Sequence, residues 1–217
     1  MPRHPEKPSS AASAPARARS RNVRGEGEKL RSEILDAMLR LMGDEARMQP
    51  VPLSLREVAR EAGITAPAIY RHFPDKQSLS RAAFALLFEE LLGAMDRADA
   101  ESATLPPGER LAALAHAYCR FAQGNTASFR IMFGASELVG SGPDEVGQRW
   151  RRAVARLAGT GMRLSQTPEE AALSVWSSVH GRILLGRPLS GDGPDDGVHD
   201  FIDALTRSLT TTDLRTA

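Results

Sequence analysis

The side chains best suited to polar chemistry in this 217-residue chain stand within a short interval. Tyr70 and His72 flank Arg71, and Lys76 follows four residues later. A phenol, an imidazole and two cations in this order favour hydrogen bonds and ion pairs with phosphate oxygens. No nucleophile with an adjacent base accompanies them, so the pattern indicates binding rather than covalent catalysis. What these groups can bind depends on the elements that position them.

Two short helices joined by a glycine turn are predicted for the stretch around these residues. Ser54, with a glutamate three residues later, forms a capping box that starts the first helix. Gly63 supplies the left-handed turn that ends this helix. Thr65 is expected to cap the second helix, with Pro67 in its first turn. Two helices in this arrangement form the motif that places its second helix in the major groove of DNA.

A longer pattern runs through the same stretch, with the members Ala59, Gly63, Ile64, Thr65, Tyr70, His72, Phe73 and Lys76. This pattern resembles the DNA-binding domain of the TetR-type bacterial transcriptional repressors. The resemblance covers the two helices and the helix before them. It implies an all-α fold of about nine helices, in which three N-terminal helices precede a larger helical domain. That domain is expected to dimerise and to bind a small effector.

Each predicted DNA contact has a stated chemical role. Tyr70 and Lys76 are expected to meet phosphates, and the small apolar side chains that open the second helix are expected to touch thymine methyl groups. In some members of the resembled family, the residue at the position of Arg56 contacts a guanine. The alternative is that Arg56 is an ordinary arginine that faces solvent. The predicted DNA-binding residues are Ser54, Arg56, Thr65, Ala66, Pro67, Ala68, Tyr70, His72 and Lys76.

A second match lies near the C-terminus. Trp176, His180 and Gly181 resemble the Trp-x-x-x-His-Gly pattern of one subgroup of TetR-type C-terminal domains, the WHG type. Trp176 and His180 are four residues apart, so they share one helix face. The resemblance implies that the last two helices of two subunits form a four-helix dimer interface. The predicted interface residues are Val179, Gly181, Ile183, Phe201 and Leu205.

An effector pocket is expected among the helices of the C-terminal domain, because long helices leave concave space between them. The predicted lining is mostly apolar, which favours a hydrophobic or aromatic effector over a sugar or a nucleotide. Met132 and Phe133 are further candidates, although aromatic and methionine side chains at helical spacing are equally typical of a plain core. The predicted pocket residues are Leu87, Leu91, Tyr118, Phe121, Trp150, Val154 and Trp176.

Charge and composition divide the chain into three parts. Residues 1–27 are rich in Pro, Ala, Ser and Arg, and they hold six Lys and Arg against two Glu. We expect a disordered basic arm that either adds non-specific DNA affinity or is an inert extension. Residues 28–74 form the predicted helix-turn-helix domain, and residues 75–217 form the predicted ligand-binding and dimerisation domain. The net charge is +1, and it is the sum of a basic N-terminal end and an acidic remainder.

Several classes of site lack a sequence signal. The single cysteine, Cys119, cannot form an internal disulfide, and no secretory signal or run of 18 apolar residues is present. We therefore expect a cytoplasmic protein without membrane contact. His116 and His180 lack the spacing of metal ligands, and no phosphate-binding loop or nucleophile elbow occurs. No metal, cofactor or catalytic residue is predicted, and the protein is not expected to be an enzyme.

The sequence thus predicts a homodimeric transcriptional regulator, most often a repressor in such proteins, that leaves double-stranded operator DNA when a small hydrophobic effector binds. Two other classes stay open. One is an architectural DNA-binding protein without an effector, which the large helical body disfavours. The other is a small helical enzyme that retains a vestigial helix-turn-helix, for which no nucleophile and base are found.

Overall fold

The structure of the protein is a computed structural model that describes residues 26–44, 54–134, 140–161, 164, 166–189 and 197–210. Within these ranges the chain forms nine helices and no strand, which confirms the predicted all-α fold. The predicted basic arm lies outside the described residues, apart from residues 26 and 27. The helices are α1 (Glu26–Gly43), α2 (Leu55–Glu61), α3 (Ala66–Ile69), α4 (Lys76–Glu101), α5 (Pro107–Gly124), α6 (Thr126–Met132), α7 (Gly142–Ala158), α8 (Pro168–Leu189) and α9 (Val198–Thr210).

Local signals set the starts of α2 and α4. The Glu57 N–H donates to Ser54 Oγ at 3.2 Å, and the Ser54 N–H donates to the Glu57 carboxylate at 2.8 Å, as the predicted capping box requires. Asp75 forms an equivalent box with Ser78, whose N–H donates to Asp75 at 2.6 Å. Gly63 has a φ of 66°, in the left-handed region that favours glycine. The two helix starts and the turn are therefore encoded within a few residues of each other.

The predicted side-chain cap at Thr65 does not form. Thr65 has the extended backbone of an N-cap residue, but the Ala68 N–H donates to the Thr65 backbone carbonyl at 2.9 Å. Pro67 removes the other N–H that a threonine hydroxyl could accept from. The second helix is also shorter than predicted. It ends at Ile69, whose carbonyl accepts from the backbone N–H groups of His72 and Phe73 in the turn that follows.

One hydrophobic core joins the N-terminal helices to the rest of the chain. The core cluster runs from Ile34 on α1 to Ile202 on α9 without a break between the described helices. We call α1, α2 and α3 the head and α5 to α9 the body. Helix α1 packs against α4 and α6, so the head touches the body as well as the long helix that connects them. None of the described helices combines the length and the hydrophobicity needed to cross a membrane.

An ion-pair group at Asp99 fixes the far end of α4 to the body. Arg110 on α5 donates two hydrogen bonds to the Asp99 carboxylate, each at 2.8 Å, and Arg156 on α7 donates a third. The bond to Asp99 raises the pKa of Arg110, whereas burial lowers the pKa of Arg156. A carboxylate that binds two guanidinium groups specifies the relative position of three helices. The body therefore holds the C-terminal end of α4, while the head holds its start.

Candidate functional site

The head presents a polar surface around the short helix α3. Tyr70 is 57% exposed, although it is an aromatic residue beside the buried Ile69 and Phe73. Arg71 and Pro67 are also exposed. The other members of this surface, which we call the recognition surface, are Arg56, Thr65, Ala66, His72 and Lys76. An exposed tyrosine among cations has no packing role within the subunit, so this surface is suited to contact another molecule.

Ala68 is a correction to the predicted DNA-binding set. Its side chain is only 8% exposed, so it cannot touch a thymine methyl group from its place in the head. Ala68 and Ile69 are adjacent in a helix of one turn, and both fall on the side that packs inward. Ala66 and Pro67 keep at least part of their surface accessible. The apolar contact surface of α3 is therefore limited to its first two residues.

Lys76 occupies the first turn of α4, as predicted, but a carboxylate shares that helix end. The N–H of Ser78 donates to Asp75, and this bond lowers the pKa of the Asp75 carboxyl. Asp75 is therefore ionised and already accepts from one of the backbone donors that an anion would use. The Lys76 ammonium, rather than the helix end, is the group able to attract a phosphate here.

Three side chains form a hydrogen-bonded group inside the body, which we call the polar trio. Trp176 Nε1 on α8 donates to the hydroxyl of Tyr118 on α5 at 3.0 Å. The same hydroxyl lies 2.8 Å from Nδ1 of His180, one turn after Trp176. Tyr118 is fully buried. Burying a phenol hydroxyl costs free energy unless it is hydrogen-bonded, and here α8 supplies both of its partners.

The protonation states within the trio follow from burial. Burial raises the pKa of Tyr118 above its ordinary value, so the side chain is an uncharged phenol. Burial also lowers the pKa of His180, so the imidazole is neutral near pH 7. Because an indole N–H can only donate, the Tyr118 oxygen accepts from Trp176 and donates its own proton to His180 Nδ1. The remaining proton of the His180 ring is then on Nε2.

Aromatic rings enclose the polar trio. Tyr118 packs edge-on against Phe129 and Trp150, with ring centroids 5.4 Å and 5.7 Å away. Phe133 lies 4.8 Å from the His180 ring and 6.0 Å from the Trp176 ring. Phe88 on α4 reaches the same group through Phe133, at 5.6 Å. We call these four rings and the polar trio the aromatic cluster. It joins α4, α5, α6, α7 and α8.

Comparison with known proteins identifies the family of this chain. Residues 50–83, which include the recognition surface, match the family described as bacterial regulatory proteins of the tetR family. Residues 111–209, which include the polar trio, match the family described as the tetracyclin repressor-like C-terminal domain. The chain belongs to the TetR family. It is therefore a DNA-binding transcriptional regulator and not an enzyme. Comparison with curated proteins gave no match.

Solved structures share the fold, and the first of those described below is named as a TetR-family regulator. The regulator PfmR from Thermus thermophilus has 20% identity and a TM-score of 0.64, over 80% of this chain and 97% of that one. A protein of unknown function from Rhodococcus sp. RHA1 has 26% identity and a TM-score of 0.66, over 84% of this chain and 96% of that one. RolR in complex with resorcinol has 22% identity and a TM-score of 0.58, over 86% and 90% of the respective chains.

The residues predicted to line an effector pocket in this TetR-family chain separate into two groups. Tyr118, Trp150 and Trp176 meet in the aromatic cluster. Leu91 and Val154 are completely buried in the core, Phe121 contacts the cluster through Phe129, and Leu87 also borders a separate cavity between α1 and α6. Phe129 and His180 also belong to the cluster, although they were not among the predicted lining residues. The four-residue spacing of Trp176 and His180 was the available signal for His180.

The dimer residues predicted from the TetR resemblance differ in how far they are buried within their own subunit. Val179 is completely buried within its own subunit, so it cannot form an interface, because α8 turns this side toward the core. Ile183, Phe201 and Leu205 are half-buried. A Cβ at Gly181 would meet no atom of the described residues within 4 Å. Among the side chains of α8 that the structure describes, the most exposed apolar ones are Leu173 and Leu185, at 61% and 58%.

Two further groups were singled out by sequence. His116 Nδ1 lies 2.6 Å from Nδ1 of His199, and His116 Nε2 lies 2.7 Å from Asp203, so these side chains bind α9 to α5. Among the described residues, no group of three or more His, Cys, Asp or Glu side chains is arranged to hold a metal ion. Cys119 is completely buried in α5, in the place of a small hydrophobic residue.

Proposed function

We propose that this regulator is a homodimeric repressor that leaves its operator when a small, mainly apolar effector binds in the body. The observation that carries the proposal is the course of α4. This helix begins at Lys76 in the recognition surface, and its Phe88 contacts the aromatic cluster. Phe88 is twelve positions after Lys76, which corresponds to about 18 Å of continuous helix. A movement of side chains in the cluster would therefore be transmitted to the DNA-binding head through one rigid helix.

We assign the DNA contacts to the recognition surface. Tyr70 and Lys76 would bind phosphates, and His72 and Thr65 would add hydrogen bonds to the backbone. Ser54 uses its oxygen as a cap acceptor, which leaves its O–H free to donate to a phosphate. Pro67 and Ala66 would allow close approach to the bases. Arg56 would read one guanine, since it is exposed on α2 and a guanidinium matches the guanine acceptor pair.

We assign dimerisation to α8 and α9. Leu173, Gly181 and Leu185 lie along one side of α8, where the subunit itself does not cover the apolar groups. A second copy related by twofold symmetry would bury this side together with Phe201 and Leu205 on α9. Two heads in one particle would then meet successive major grooves about 34–36 Å apart. A small tilt of α4 in each subunit would disturb that spacing.

We divide the chain accordingly into a DNA-binding head up to residue 74 and a ligand-binding and dimerising part after it. The effector would be a small molecule held by the aromatic cluster, and RolR, which shares the fold, binds resorcinol in its structure. Because its target is chromosomal DNA, we place the protein in the cytoplasm. The coupling between effector and operator is then a free energy shared by two binding sites.

Selection of binding sites from a random DNA library tests this function against the architectural alternative. A dimeric repressor should recover an inverted repeat whose two halves are about one helical turn apart. Light scattering on the complex should give two chains per repeat. Recovery of DNA without any shared sequence would favour the architectural protein. A single unrepeated site bound by one chain would instead contradict the proposed dimer.

A further inference from the structure

Phe133 has an unusual position within the aromatic cluster. It follows the last residue of α6 as the C-cap residue, yet its ring contacts five other rings. Phe129 and His180 are its nearest partners, at centroid distances of 5.4 Å and 4.8 Å. The other three distances are 5.6 Å to Phe88, 6.3 Å to Tyr118 and 6.0 Å to Trp176. One benzene ring therefore fills the space that the polar trio and its neighbours surround.

The same cluster contains a hydrogen-bond donor without a partner. Trp150 is completely buried, and its Nε1 has no hydrogen-bond partner among the described residues. Its ring belongs to the cluster, where it packs edge-on against Tyr118. Leaving a buried donor unpaired costs free energy, and most native cores avoid it. A bound molecule with an acceptor atom would remove this cost.

We propose that Phe133 is a plug that an aromatic effector displaces, and that the effector is an uncharged single-ring compound with a hydroxyl group. The inference rests on the proposed function, in which the body binds an effector. The ring of the effector would take the place of the Phe133 ring beside Phe129 and His180. Its hydroxyl oxygen would accept from the buried Trp150 N–H.

The electrostatics of the trio determine the class of compound. Tyr118 is a phenol and His180 is neutral, because burial raises the pKa of the first and lowers the pKa of the second. These groups offer hydrogen bonds and no counter-ion. A charged carboxylate or amine would lose its hydration without gaining an ion pair from the trio. A phenol keeps the planar ring for edge-to-face packing and adds one polar group.

A groove outside the cluster provides a way in. The groove has a volume of about 380 Å³ and is lined by residues that include Phe88, Leu92 and Gly142. The Phe88 ring lies against Gly142 so closely that a Cβ there would be 2.3 Å from Phe88 Cγ. Phe88 thus separates the groove from Phe133, and it belongs to α4. An effector that moved Phe88 and Phe133 would act directly on the helix that reaches the DNA.

Intrinsic fluorescence can report on the plug, because Trp150 and Trp176 are the only two tryptophans and both are in the cluster. We would titrate the full-length protein with phenol and with benzene as the ring without a hydroxyl. Removing the plug in Phe133→Ala removes the cost of displacing it, so phenol should bind about tenfold more tightly than to the wild type. Phe133→Ala/Trp150→Phe keeps a ring at position 150 and removes the unpaired N–H, so the preference for phenol over benzene, followed by the fluorescence of Trp176, should fall about three- to tenfold.

A matched control separates the plug from any cavity, since a cavity made in a core can bind benzene by itself. Phe73→Ala also deletes a buried ring, but this ring is in the head, where it lies under Arg31. Phenol affinity in this variant should equal that of the wild type, because the aromatic cluster is unchanged. Equal gains in Phe73→Ala and Phe133→Ala, or equal binding of phenol and benzene to Phe133→Ala, would overturn the proposal. Phe133→Leu provides the same test if circular dichroism shows that the alanine variant is unfolded.

The binding test and the regulatory function can fail separately, because the titration contains no DNA. Selection of an inverted repeat without a phenol preference in the plug variants would support the regulatory function and contradict the plug. The expected phenol affinities without selection of any DNA sequence would support the plug and contradict the regulatory function. Release of the selected DNA by phenol in a gel shift would show that effector binding controls DNA binding.

Discussion

The head and the body of this protein meet their partners with opposite kinds of surface. The recognition surface is exposed, with Tyr70 at 57% accessibility, whereas the polar trio has Tyr118 at 0%. A phosphate backbone is contacted by side chains that stay in water until DNA arrives. A small apolar molecule must instead be surrounded, so its site is built from residues that otherwise pack on one another. Changes in the head should therefore alter DNA binding alone, and changes in the body should alter stability, assembly or effector binding.

Gly181→Leu should give the largest effect and would break the proposed arrangement of two heads. A Cβ at this position would meet no atom of the described residues within 4 Å, so the leucine is placed to obstruct a second copy. Operator affinity should fall about 100-fold or more, because each head then binds alone. Light scattering and gel shift measure both consequences. Ala155→Leu adds bulk at an exposed position of α7 and should remain a dimer. A dimeric Gly181→Leu variant would place the interface elsewhere.

Gly142→Ala tests the packing of the body at the entrance to the aromatic cluster. The new methyl group would overlap the Phe88 ring, with 2.3 Å between Cβ and Phe88 Cγ, so α4 or α7 must shift. We expect a loss of about 1–3 kcal/mol in the free energy of unfolding, measured by urea denaturation. Gly124→Ala, where a Cβ meets nothing within 4 Å, is the matched control and should change stability little. Equal stability of the two variants would contradict the close contact.

Arg56→Ala and Lys76→Ala sharpen the comparison within the head. Arg56→Ala should relax specificity at one base pair, at a cost of about 1–3 kcal/mol in binding. Lys76→Ala and Tyr70→Phe should weaken binding to all DNA sequences alike, and Lys76→Ala should reduce the salt slope by about 1. Gel shifts on selected and scrambled DNA measure these effects. Arg120→Ala, an exposed arginine of the body, is the control, and melting temperatures should not change. Unaltered DNA binding by both Lys76→Ala and Tyr70→Phe would contradict the assignment of these residues to phosphate contacts.

The pH dependence of stability should be the smallest effect, and it belongs to the body. Burial places the folded-state pKa of His180 below its unfolded value of about 6.5. The unfolded chain therefore takes up a proton first, and His180 makes the fold less stable as the pH falls below about 6.5. The loss from this group is at most about 1.4 kcal/mol per pH unit. His180→Gln should reduce this dependence in urea titrations. An identical pH profile in the variant would show that the imidazole titrates normally.

The sequence was most informative where one residue decides a backbone conformation. Ser54 and Gly63 fix a helix start and a turn by contacts within a few residues, so those two features were predicted correctly. Thr65 does not cap the helix with its side chain, because Pro67 has no N–H to donate and the Ala68 N–H donates to the Thr65 backbone carbonyl. Ala68 failed as an exposed contact because a helix of a single turn packs one side inward. Periodicity cannot determine which side this is when the helix has four residues.

Sequence alone determined the all-α class, the helix-turn-helix and the TetR resemblance, because capping, glycine turns and apolar spacing act between neighbours in the chain. Only the tertiary structure decided which distant side chains meet. Tyr118 and His180 are 62 residues apart, and their 2.8 Å contact depends on how α5 packs against α8. The burial of Val179 and the insertion of Phe133 among five rings have the same origin. Packing between helices depends on the summed shape of many side chains, which no local pattern in the chain specifies.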